Sequence, residues 1–190
     1  MEALAALRLW AYERTFPNVL GANGYPHIFR IPPLPAADWL IASFETGHLS
    51  YLPGLLGDDE RELLMDAQYE GHVTHDDLVQ ANRDALEMIS GWPWWSAGKL
   101  MGVLYHQFDM VGGLLIMSGV DLQRQPLAAV LAAVNAKILE YKSKEDRTKW
   151  LNELAMPPAD MLDHDNWNEE AAERALEMMM ANGGAGYGDE

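Results

Sequence analysis

The chain has 190 residues with a formal net charge of −16, from 13 Lys and Arg against 29 Asp and Glu. A charge of this sign repels phosphate backbones and anionic lipid surfaces, which argues against nucleic-acid and membrane partners. The sequence contains no cysteine, which excludes disulfides, thiolate metal sites and a cysteine nucleophile.

The first 34 residues are predicted to form a helix and an extended lead-in. Residues 2–16 are spaced as in a helix, and Pro17 with the glycines that follow it would end that helix. Residues 27–31 are expected to be extended, because Pro32 and Pro33 stop them. At most a minor N-terminal β-hairpin is expected.

Residues 35–158 are predicted to form a helical core domain. Thr74 with Asp77 is a variant of the capping box that opens a helix ending at Gly91. Further apolar stripes at helical spacing predict helices over residues 36–46, 58–69, 93–111 and 126–141, and a short one around Trp150. The sequence therefore predicts an all-α fold, a compact bundle of about seven or eight helices.

The stretch GWPWWSAGKLMG, from residue 91, places three tryptophans in four positions. On a helix that begins near Pro93, Trp94 and Trp95 lie about 100 degrees apart and can flank one buried stripe. Gly98 and Gly102 would allow a second helix, residues 127–141, to approach closely. Since only Lys99 is basic in this stretch, the spacing favours a helix-helix core over a base-stacking surface.

The stretch EGHVTHDD holds the strongest candidates for chemistry, His72, His75 and Asp76. Histidine and carboxylate side chains are ligands for divalent metals, so a metal-dependent hydrolase is one hypothesis. Further candidate ligands are Asp77, His106, Asp163, His164 and Asp165. The two histidines straddle the cap at Thr74, which favours a solvated turn instead. No catalytic signature occurs, so the residues leave an enzyme unsupported, and we predict no catalytic, cofactor or metal residues.

Residues 159–190 are predicted to form a Met-rich amphipathic helix, residues 167–181, and a flexible tail. Its apolar side chains are flanked by several glutamates, and methionine adapts well to varied apolar partners. The candidate partner-binding residues are Leu176, Met178, Met179 and Met180. The alternative is that this helix packs back on the bundle.

Three stretches carry a resemblance to a known family: IPPLPAADWLIASF, GWPWWSAGKLMGVL and GGLLIMSGVDLQRQPLAAVLAAVNAKIL. They resemble small proteins from the tail-gene region of siphoviruses that infect actinobacteria. These proteins share a proline-bearing lead, an acidic helical region, a Trp-Trp helix, a GVD turn and a long apolar helix. The likeness extends over residues 31–158, and the chain departs from it over residues 1–25 and in the Met-rich helix.

The resemblance implies a non-enzymatic tail assembly chaperone in the bacterial host cytoplasm. Such a protein keeps the hydrophobic tape-measure protein soluble and brings tail-tube subunits to it, and it needs no cofactor. It could also form a homo-oligomer. The competing hypothesis is a virion component, a head-to-tail connector or a minor tail protein, and the metal-dependent hydrolase ranks third.

Overall fold

A computed structural model describes residues 12–21, 24–45 and 51–158 of the chain. These residues form one antiparallel hairpin, eight α-helices and one π-helical segment, so the predicted all-α fold is confirmed. In chain order they are β1 Tyr12–Leu20, β2 Pro26–Ile31, α1 Ala36–Glu45, α2 Tyr51–Leu55, α3 Asp58–Tyr69, α4 His75–Ser90, α5 Trp94–His106, the π-helical segment Phe108–Gly112, α6 Gly113–Met117, α7 Leu127–Glu140 and α8 Lys144–Ala155.

The helix predicted for residues 2–16 is wrong over its last five residues, which belong to strand β1. Tyr12 pairs with Ile31 and Thr15 with Ile28, so β2 is the partner of β1. Tyr12 and Phe16 are buried while Glu13 and Thr15 are exposed, an alternation that fits a strand and not a helix. The predicted extended segment, residues 27–31, is confirmed, and residues 2–11 of the predicted helix lie outside the described part.

The chain divides into two compact units, Met1–Ile89 with Leu122–Leu127, and Ser90–Asp121 with Ala128–Glu190. The predicted core segment, residues 35–158, is thus shared between the two units. The predicted Met-rich helix and tail, residues 159–190, lie outside the described residues. We refer to the two parts as unit 1 and unit 2.

Unit 1 contains the hairpin and helices α1 to α4. The Arg14 guanidinium of β1 contacts the Asp84 carboxylate of α4 at 2.7 Å. The Leu52 amide of α2 donates a hydrogen bond to the buried Asn82 side chain at 2.7 Å. The segment Leu122–Leu127 belongs to this unit because its carbonyls accept hydrogen bonds from the first amides of α1, which have no partner within their own helix.

Unit 2 contains α5 to α8, and α5 is shorter than predicted. It ends at His106 instead of Val111, and it meets the segment Phe108–Met117 at an angle of 90°. Gly112 is helical, and the chain turns at Gly119, which has φ +81°. Among the described residues no single helix is long and apolar enough to cross a membrane; α5 and this bent segment reach that length and composition only together.

Of the three tryptophans in the stretch that begins at residue 91, Trp92 and Trp95 belong to the core, as predicted, and Trp94 is half-buried. Trp92 and Trp95 are buried, and the Trp94 and Trp95 rings meet edge to face with centroids 5.9 Å apart. The close approach expected at Gly98 and Gly102 is wrong, because no atom of another described helix lies within 4 Å of where a Cβ would stand at either glycine.

Candidate partner-binding groove

The residues of the metal hypothesis lie on the surface of unit 1. His72 and His75 are exposed, and the His72 ring lies 3.2 Å from the Glu70 carboxylate. Within residues 12–21, 24–45 and 51–158, no group of three His, Cys, Asp or Glu side chains is placed to hold a metal ion. His106 is exposed beside the Tyr105 ring, and Asp163, His164 and Asp165 lie outside the described residues.

Asp76 and Asp77 occupy the first turn of α4, where a helix favours negative charge. The Asp77 carboxylate accepts hydrogen bonds from the Thr74 hydroxyl at 2.6 Å and from the Thr74 amide at 2.9 Å. The Asp77 amide donates back to the Thr74 hydroxyl at 3.1 Å, which completes the predicted capping box. These bonds from Thr74 lower the pKa of Asp77, so this residue acts in a helix cap.

The candidate partner-binding residues Leu176, Met178, Met179 and Met180 lie outside the described residues. Their assignment stays a prediction. The described residues offer a different apolar surface, in unit 2.

A groove of about 760 Å³ opens on unit 2. Its walls come from the end of α5, the π-helical segment, α6, the end of α7 and the middle of α8. Mostly apolar side chains line it, and those that the argument uses are Val103, Met110, Met117, Ile138, Tyr141 and Trp150. Volumes of this size are typical of sites that bind a ligand or a partner side-chain cluster.

The apolar stripe of α7 passes from the core into the groove. Val130, Leu131 and Val134 are fully buried. Ile138 is half-buried and Tyr141, just past the helix end, is 71% exposed, yet both lie in register with the buried part of the stripe and line the groove. An amphipathic stripe normally faces a covering element over its whole length, so its open end indicates a surface that another segment covers.

The opposite wall carries two exposed methionines. Met117 is 87% exposed and Met110 is 60% exposed, although both belong to the most apolar run of the sequence. In the π-helical turn of this wall, the Phe108 ring packs directly against Gly112. A Cβ at position 112 would stand only 2.9 Å from that ring. π-helical turns often occur at functional sites, and methionine adapts to irregular apolar surfaces.

The third wall, α8, is held in place by polar contacts. The Trp150 indole N–H donates to the buried Asn135 side chain of α7 at 2.9 Å. The Arg147 guanidinium donates to the Leu139 carbonyl at 2.8 Å, and the Ser143 hydroxyl accepts the Asp146 amide at the start of α8. The Trp150 ring is therefore fixed at the groove before any partner arrives, which lowers the entropic cost of binding.

The charges around the groove differ from those elsewhere in the chain. Lys137 and Lys142 line it, and the Lys142 ammonium lies 5.5 Å above the Trp150 ring. The described residues of unit 2 hold six Lys and Arg against six Asp and Glu, whereas those of unit 1 hold five Arg against thirteen Asp and Glu. The groove is thus an apolar surface on a part of a strongly acidic protein whose described residues carry no net charge.

Searches against protein-family models, curated proteins and solved structures find no match for the chain. Assignment of a role to the groove therefore depends on its geometry and on the sequence resemblance. Two signals in the sequence pointed towards it: the apolar run Met110 to Val120 and the stripe of α7. The stripe of α7 was interpreted as a core face, because periodicity reports an apolar face without reporting what covers it.

Proposed function

We propose that the protein is a tail assembly chaperone of an actinobacterial siphovirus. It is non-enzymatic, acts in the host cytoplasm and binds the tape-measure protein and tail-tube subunits during tail assembly. The observation that carries this proposal is the apolar groove of unit 2, into which the open end of the α7 stripe projects. A groove with apolar anchors at helical spacing suits an apolar helix of a partner protein.

Two features of the groove and the net charge of the chain support this role. Met110 and Met117 give one wall an adaptable surface, which suits a client that presents many different apolar segments. Trp150 and Tyr141 give the other side large, amphipathic rings of the kind that dominate binding energy in interfaces. The net charge of −16 would keep a complex with a hydrophobic client soluble through repulsion between complexes.

The test is coexpression with the tape-measure protein encoded beside this chain. The soluble fraction of the tape-measure protein is measured with the unsubstituted chain, with Met117→Asp and with Tyr141→Asp. We expect each substitution to lower that fraction, since a buried aspartate in the interface costs several kcal/mol when it has no partner. Both side chains are mostly exposed, so neither substitution should unfold the protein.

Met65→Asp is the matched control, because Met65 is a half-exposed methionine of α3 in unit 1. It introduces the same charge without touching the groove, so it should leave the soluble fraction unchanged. Equal losses in the control and the groove variants would contradict the proposed binding surface.

Quantitative mass spectrometry of purified virions distinguishes the chaperone from a connector or minor tail protein. A chaperone is abundant in infected-cell lysate and missing from finished particles. A fixed copy number per particle would instead make the chain a structural component and overturn the proposal.

A further inference from the structure

We propose that the groove of unit 2 is covered by the chain's own Met-rich segment, residues 167–181, until a client displaces it. The docking of this segment is a property of the chain by itself. Its regulatory consequence, competition with a client, rests on the proposed function.

The path of the chain makes this contact possible. The Trp150 side chain of α8 lines the groove with Val103 of α5, whereas the Leu154 carbonyl accepts a hydrogen bond from Ser96, near the start of α5. The two helices therefore run in opposite directions, and α8 leads the chain away from the groove along α5. Residues 96 and 103 of a helix are about 10 Å apart along its axis.

The segment has enough chain to return over that distance. Eight residues, 159–166, connect the last described residue to the Met-rich segment. Eight extended residues span up to roughly 26 Å, which exceeds the distance that the chain must cover to reach the groove again.

Charge favours this site over the rest of the molecule. Residues 159–190 hold one Arg against nine Asp and Glu. Residues 137–149, from the end of α7 into α8, hold five of the chain's 13 Lys and Arg against three Asp and Glu. The described part of unit 1, by contrast, has five Arg against thirteen Asp and Glu and repels an acidic segment.

The apolar pattern of the segment also matches the groove. Ala172, Leu176 and Met179 recur at steps of four and three residues, the spacing that would place them on one face of the predicted helix. Glu169, Glu173 and Glu177 recur at steps of four on another face. With its apolar face in the groove, such a helix would direct glutamates towards the rim, where Lys142 lies.

Disulfide trapping tests the docking directly, because the sequence contains no cysteine to interfere. The full chain carries Met117→Cys with Met179→Cys, and the control carries Asn152→Cys with Met179→Cys. Asn152 is exposed on α8, only six residues before Pro158. A C-terminal segment that does not dock at any site would therefore reach Asn152 more often than it reaches the groove. Mild oxidation without a client, followed by mass spectrometry of the monomer, gives the rate of intrachain disulfide formation.

We expect the disulfide at position 117 to form about tenfold faster than the one at position 152, since docking raises the local concentration of one cysteine at the other. Adding Lys142→Glu should reduce this preference severalfold. Equal rates, or a faster reaction at position 152, would overturn the proposal. Disulfides between chains whose yield rises with protein concentration would also overturn it, because a second copy would then be the occupant.

Client solubilisation by the trapped protein then tests the regulation separately. The oxidised 117–179 protein should fail to solubilise the tape-measure protein, and reduction should restore the activity. If the disulfide forms but the reduced protein never solubilises the client, the proposed function fails while the docking stands. If the reduced protein is active but no preference for position 117 exists, the docking fails while the function stands.

Discussion

The Ser96 hydroxyl donates a hydrogen bond to the Leu154 carbonyl at 2.7 Å, in a buried part of unit 2. Next to it, the Trp95 indole N–H donates to the Ala155 carbonyl at 3.3 Å, and the Lys99 ammonium donates to the Glu153 carbonyl. The last carbonyls of a helix have no partner within it, so side chains of α5 cap the end of α8. This cap holds α8 antiparallel to α5.

Ser96→Ala should destabilise the protein by about 1 to 3 kcal/mol, because it removes the donor from a buried carbonyl. Urea unfolding measures the change in the free energy of unfolding. Ser118→Ala is the matched control, since the Ser118 hydroxyl donates to the Leu114 carbonyl at 2.8 Å on the exposed surface. We expect the control to change stability by less than about 0.5 kcal/mol. Similar values for the two variants would contradict the capping role of Ser96.

Trp95→Ala should cost about 3 to 5 kcal/mol, the usual penalty for removing a large buried aromatic ring. The substitution also removes the donor to the Ala155 carbonyl. Trp94 is only partly buried, so Trp94→Ala should cost clearly less in the same unfolding measurement. A loss for Trp95→Ala no larger than that for Trp94→Ala would place the Trp95 ring outside the core.

Much of the helical structure could be predicted because its signals are local. The capping box at Thr74 and Asp77 defines the start of α4, and Gly91, with φ +67°, follows its end. The stripe of α7 likewise predicts a helix within one residue of the observed bounds, Leu127–Glu140. Caps and periodicity depend on neighbours in sequence, which a single chain displays.

The hairpin was only partly predicted, since residues 12–15 of strand β1 pair with residues 13 to 19 positions away. Tyr12, Thr15 and Phe16 favour strands, but the apolar residues before them are spaced as in a helix. Pairing of Tyr12 with Ile31 decides the conformation, and no local pattern reveals that pairing. The register is also irregular between Thr15 and Leu20, close to Pro17, which cannot donate to a strand ladder.

The groove could not be predicted because three separated stretches of sequence form it. Val103, Met117 and Tyr141 come together only after the chain bends by 90° beyond His106. That bend interrupts a run in which the apolar spacing is continuous, so the sequence favoured one straight helix to Val111. The expected contact of Gly98 and Gly102 with α7 failed for a related reason: small residues permit close packing without specifying a partner.

Asn82→Ala should destabilise unit 1 by about 1 to 3 kcal/mol, because a buried amide N–H that loses its acceptor carries its full desolvation cost. The Asn82 side chain accepts from the Leu52 amide at 2.7 Å and links α2 to α4. Hydrogen exchange should also become faster in α2. Asn152→Ala, on the exposed face of α8, is the control and should leave exchange in α2 unchanged. Unchanged exchange in both variants would show that α2 is held by other contacts.

The pKa of Asp77 predicts how the cap of α4 responds to acid. The Thr74 hydroxyl and then the Thr74 amide lower this pKa, so the carboxylate contributes stability above its unfolded pKa of about 3.9. That contribution is lost as the pH falls through the lower, folded pKa. We therefore expect Asp77→Asn to lower the melting temperature at neutral pH. In strong acid the variant and the unsubstituted protein should have the same melting temperature.

The effect of Asp77→Asn is also measured in a protein that carries Thr74→Ala. Thr74→Ala removes the hydroxyl that donates to Asp77 and accepts from the Asp77 amide, and it should cost about 1 kcal/mol, as for other N-cap residues. Because the two residues act as one capping box, the effect of Asp77→Asn should shrink when Thr74 is already alanine. Thermal melts of the four proteins from pH 2 to pH 7 test this coupling. Additive effects at every pH would mean that Asp77 stabilises α4 through its charge at the helix start and not through Thr74.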